Sequence, residues 1–113
     1  MDAKTTIRMQ LLARRAELLI FAFCHKETRR FLLLPVEHFG TPAFAGAVSE
    51  AMSEGFVPLG LIALCSTDDQ PFITDERMPG VPEEDMRAAK RLFEEDLLEK
   101  GILKPDTKTT PIN

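Results

Sequence analysis

Apolar residues along this chain fall into short blocks, and the spacing inside each block changes from one to the next. Residues 2–16 place Ile7, Leu11 and Leu12 on one side of a helical wheel and Arg8, Arg14 and Arg15 elsewhere, with Thr5 or Thr6 available as N-cap. Residues 18–24 are apolar at both parities, residues 25–30 are polar, and Phe31 to Leu34 are apolar again before Pro35. Two short apolar runs around a polar turn predict a β-hairpin. A single helix over residues 5–25 competes, because Ala, Leu, Arg and Glu all favour helix and periodicity does not separate runs this short. The hairpin is the favoured reading.

The next helix is marked at both ends. Thr41 suits the N-cap, Pro42 the first helical position and Gly55 the left-handed residue after it. Phe44, Val48, Ala51 and Met52 make its apolar stripe, while Ala43, Ala45, Gly46 and Ala47 leave little side chain in its first turns. Residues 56–65 read as a third strand with a buried centre at Leu61 to Leu64. Residues 66–81 read as a long connection. A last helix opens at Pro82, carries Glu83, Glu84 and Asp85 on its positive end, and closes at Gly101. Met86, Ala89, Phe93 and Leu97 form its inward stripe, and Lys90–Glu94, Arg91–Glu95 and Asp96–Lys100 are spaced to pair on its outer face.

These elements predict an α/β (α+β) fold: a small three-stranded, mostly antiparallel sheet of order 2-1-3 packed with about three helices. The order follows from a hairpin joining strands one and two and a right-handed helical crossover from strand two to strand three. The most apolar strand then lies in the middle. One domain over residues 1–104 and a flexible tail over 105–113 complete the plan. No internal repeat is visible.

Charge changes the picture more than composition does. The net charge of −4 hides a net of +4 over residues 1–30, −9 over residues 31–86 and +1 over the rest. All eight aromatic residues are Phe, so the usual Tyr and Trp interface anchors are missing. Cys24 and Cys65 are too few for a disulfide framework. They end antiparallel strands, which places them at opposite ends of the sheet, roughly 15–20 Å apart by strand rise. The longest apolar run, residues 18–24, is too short to span a bilayer, and no hydrophobic leader follows Met1. A cytoplasmic protein with reduced thiols and no membrane association is expected.

Three groups of residues are candidates for chemistry. The first gathers where strands two and three end: His38, Cys65, Asp68 and Asp69, a set that offers a nucleophile pair or a small metal site. The second is the 66–81 connection, whose acids Asp68, Asp69, Asp75 and Glu76 surround apolar Phe72 and suit docking on a basic partner surface. The third is the basic hairpin tip with Arg29 and Arg30, which could grip phosphates. The sequence carries no Walker loop, dinucleotide-binding glycine pattern, paired CxxC or HExxH.

The leading expectation is therefore a small non-catalytic protein that binds a macromolecular partner, a protein, as a regulator, inhibitor, adaptor or assembly factor. No catalytic residue, metal or cofactor is assigned. The partner-binding residues are Asp68, Asp69, Phe72, Asp75, Glu76, Arg29 and Arg30, and an exposed strand edge also allows a homodimer. A small enzyme or metal-binding protein built on His38, Cys65, Asp68 and Asp69 is the second reading. Nucleic-acid binding through the hairpin tip is the third and least favoured, against the acidic total.

Overall fold

The computed structural model describes residues 3–37 and 40–103. Among them the order of elements is α1 (Ala3–Arg15), β1 (Leu18–His25), β2 (Phe31–Pro35), α2 (Pro42–Ser53), β3 (Phe56–Thr67), β4 (Gln70–Arg77) and α3 (Glu83–Glu99). The strands form one antiparallel sheet of order β2-β1-β3-β4. The α+β class and the 2-1-3 core of the order match the sequence reading. Three strands were expected, and the fourth is the correction. Residues 70–77 are not part of a long connection but a full partner of β3, from Thr67 opposite Gln70 to Gly60 opposite Arg77. The turn between them is Asp68-Asp69, with φ of 53° and 62°. Positive φ at both central residues is the hairpin geometry that glycine usually supplies, so its signal was absent from the sequence.

The sheet is covered on both faces, which is why β1 is apolar at both parities. Ile20, Ala22 and Cys24 join Ile62, Leu64, Met86, Ala89, Phe93 and Leu97 under α3. Phe21 and Phe23 join Leu61, Ala63, Cys65, Met9, Leu12 and Ala51 under α1 and α2. The inward stripe of α3 is the predicted one. On α1 the buried side chains are Thr5, Met9 and Leu12, while Ile7 and Leu11 are 54% and 53% exposed. The expected apolar side of that helix is rotated, and Thr5 lies inside the helix instead of capping it. Thr41 does cap α2, its hydroxyl accepting from the Phe44 amide at 3.3 Å.

A bulge lets β3 serve both faces. Ala22 is opposite Gly60 and Phe23 opposite Pro58, so Leu59 is the extra residue. Below it Leu59 faces α3, and above it Leu61 faces α1 and α2, a change of parity that a regular strand cannot make. Gly60 takes φ of 148°, and a Cβ there would overlap the Glu76 carbonyl oxygen and lie 2.7 Å from Met86 Cε. Glycine is required at that point.

The chain also repeats its topology. Two αββ units, α1-β1-β2 and α2-β3-β4, place their helices on one face, their first strands side by side and their second strands at the two edges. This is the symmetry of a two-fold axis normal to the sheet. The units interlock, because α1 lies across β3 and β4 while Phe44 of α2 packs on Phe21 of β1 at 5.5 Å. No residue pattern announced the repeat. No helix among the described residues is long and apolar enough to cross a membrane.

Candidate functional site

Antiparallel pairing with a two-residue turn decides which backbone groups β4 keeps for itself. The opposed pair that closes such a turn, Thr67 and Gln70, exchanges both hydrogen bonds, and inward-bonded positions alternate from there. Gln70, Phe72, Thr74 and Glu76 are therefore bonded to β3. The polar backbone groups of Pro71, Ile73, Asp75 and Arg77 point outward. Pro71 agrees with this register, since a missing N–H costs nothing at an outward position. Among the described residues no other backbone group takes up this edge.

The side chains of β4 alternate between the helices that flank it. Asp75 faces α3 and meets Lys90 at 3.0 Å; Glu76 faces α1 and meets Arg8 at 3.0 Å. These two acids of the candidate strip thus tie the strand to both helices. Phe72 lies opposite Cys65 on the α1 side and is 40% exposed. Asp68 and Asp69 sit at the exposed hairpin tip.

Three hollows of about 390, 350 and 450 Å³ converge on this edge, two on the α3 side and one on the α1 side. Together they are lined by seven cations and four acids: Arg8, Arg14, Arg15, Arg77, Arg87, Lys90 and Arg91 against Asp75, Glu76, Glu83 and Glu94. Arg87 is held by Glu83 at 3.1 Å. Arg14, Arg15, Arg77 and Arg91 have no ion-pair partner among the described residues. An acidic protein has therefore concentrated positive charge beside an open strand edge. Sequence reading missed this because the cations come from helices some 70 positions apart.

The other candidates are placed differently. His38 lies outside the described residues. The ends of β2 and β3 do share one end of the sheet, as the order requires, with the start of β1 between them. Cys65 is 3% exposed there, its side chain in the core under α1 and α2, and Asp68 and Asp69 lie beyond it at the turn. Cys24 is buried at the opposite end on the other face, and both thiols are free. Burial pushes the Cys24 thiol up, with the Asp85 carboxylate adding to this and the Arg29 guanidinium opposing it. No group of three or more His, Cys, Asp and Glu able to hold a metal occurs among the described residues.

At the basic hairpin tip, Arg29 sits at φ of 61° and donates to Asp85 at 2.7 Å, which docks the tip on the first turn of α3. Arg30 is exposed, and its carbonyl accepts from the His25 amide at 2.7 Å. His25 organises this turn. Its Nδ1 accepts from the amides of Glu27 and Thr28, both at 3.2 Å, so its Nε2–H donates to the Glu54 carbonyl at 3.1 Å.

The chain matches no protein-family model, and comparisons with curated proteins and with solved structures returned no match.

Proposed function

We propose that this chain is a non-catalytic protein that acts by binding a protein partner, which docks by adding a strand to the outer edge of β4. The observation that carries this reading is the free row of backbone groups at Ile73, Asp75 and Arg77, set between two helices and bordered by hollows on both sides. Strand addition takes its affinity from such main-chain groups and its selectivity from the side-chain recesses beside them. An edge of this length left bare is a hazard that proteins ordinarily blunt with charge, proline or cover. Here proline stands at Pro71, near one end, and of the charges on the strand Asp75 and Glu76 are drawn aside to Lys90 and Arg8.

The test compares two substitutions at one residue. Asp75→Ala removes the ion pair to Lys90 and leaves the backbone amide; Asp75→Pro removes both. Retention of a protein from nuclease-treated native extract by the wild type and Asp75→Ala, with loss in Asp75→Pro, is the expected result. Equal retention by all three would reject the edge as the docking surface. Sedimentation of the purified wild type distinguishes a foreign partner from a second copy of the chain.

A further inference from the structure

We infer that the segment received by the β4 edge is an extended stretch of acidic and apolar residues, about five residues long. This rests on the docking reading and adds the chemistry of the partner. The length follows from the outward-facing groups of Ile73, Asp75 and Arg77, which bond to alternate residues of an added strand. The composition follows from what borders it. Successive side chains of an added strand point alternately to the α1 side and the α3 side. Arg15 stands on the α1 side and Arg91 on the α3 side, neither with an ion-pair partner among the described residues. Carboxylates are thus welcome on both faces of the segment. Exposed Leu11 on one side and half-buried Pro71 and Ile73 on the other supply apolar contact.

The same features favour a peptide over a nucleic acid. The unpaired N–H and C=O groups of a strand edge match a polypeptide backbone, and a run of phosphates offers no such alternating ladder. The acids of β4 do not themselves call for a basic partner, because Lys90 and Arg8 already neutralise Asp75 and Glu76.

The experiment uses the full chain against an array of short peptides in which randomised apolar residues are interleaved with Asp/Glu, with Lys/Arg or with Ser. The acidic set is expected to bind best, by roughly tenfold over the basic set at low salt, as two partly exposed ion pairs predict. Raising the salt should narrow the margin. The double variant Arg15→Glu/Arg91→Glu, which breaks no ion pair among the described residues, should reverse the preference. An array that favours basic or Ser peptides, or shows no preference, overturns the inference. So does salt-sensitive capture of a DNA or RNA oligonucleotide that the double variant abolishes. Because Asp75→Pro tests the edge irrespective of charge, loss of the extract partner in that variant alongside a charge-blind array rejects the acidic segment and leaves edge docking standing. Retention of that partner rejects both.

Discussion

The two αββ units share one plan and finish it in opposite ways. In the first, the hairpin tip is tied down: His25 bridges the turn and the end of α2, Arg29 reaches Asp85, and β2 is five residues long with Pro35 at its end. In the second, a bare two-residue turn leads into β4, eight residues long, whose outer edge is left open. The flanking helices differ in the same sense. The α2 helix carries one charged residue, Glu50, whereas α1 brings Arg8, Arg14 and Arg15 to its end of the sheet. A two-fold topology therefore ends in an asymmetric molecule, with one edge short beside an anchored turn and the other long and bordered by cations.

Substitutions can break or sharpen that contrast. The largest effect is expected at Gly60, beside the bulge that lets β3 pack against both faces and hold β4. Gly60→Ala meets the Glu76 backbone, which has no flexible end to yield, and should cost about 3 kcal/mol. Its thermal midpoint would fall by more than about 10 °C; a midpoint within a few degrees of wild type would refute the required close approach. Next comes the anchored tip. Asp85 is 13% exposed beside Arg29, and Asp85→Ala should cost about 1–2 kcal/mol in a urea titration. It should also raise amide exchange selectively in residues 26–30, and uniform exchange across both hairpins would show that the tip is not held there.

Two smaller changes should stabilise the fold. Gly46 lies in the middle of α2 with nothing within reach of an added Cβ. Gly46→Ala should therefore add about 0.5–1 kcal/mol, and a loss would reveal a contact on that helix that the free chain does not make. At the β3–β4 turn, Asp69→Gly relieves a residue held at φ of 62°. It should add a few tenths of a kcal/mol, roughly 0.5, seen as a small rise in the urea midpoint with β4 pairing unchanged.

Much of the architecture was written locally. Thr41, Pro42 and Gly55 bound α2, and Pro82 and Gly101 bound α3, because caps and breakers act over a few residues. The two-sided apolar character of residues 18–24 placed that strand at the centre of the sheet. The separation of Cys24 from Cys65 followed from strand direction alone. Of the α3 pairs predicted from spacing, Asp96–Lys100 forms at 3.1 Å, but Lys90 turns to Asp75 on the neighbouring strand. Spacing along a helix sets which partners are near, and a carboxylate on a neighbouring strand can outcompete them.

What the sequence by itself determined was the set of segments that must be buried, the ends of the helices and the central order of strands, all consequences of short-range pattern and chain direction. The fourth strand was decided by tertiary structure. Residues 70–77 are too polar to declare a strand until β3 offers them a ladder, and their turn places aspartate where glycine would have signalled it. The candidate site was decided there as well. Arg15 and Arg91 stand on either side of one strand edge only because α1 and α3 cover opposite faces of the same sheet. Charge collected across that distance in sequence exists only in the folded chain.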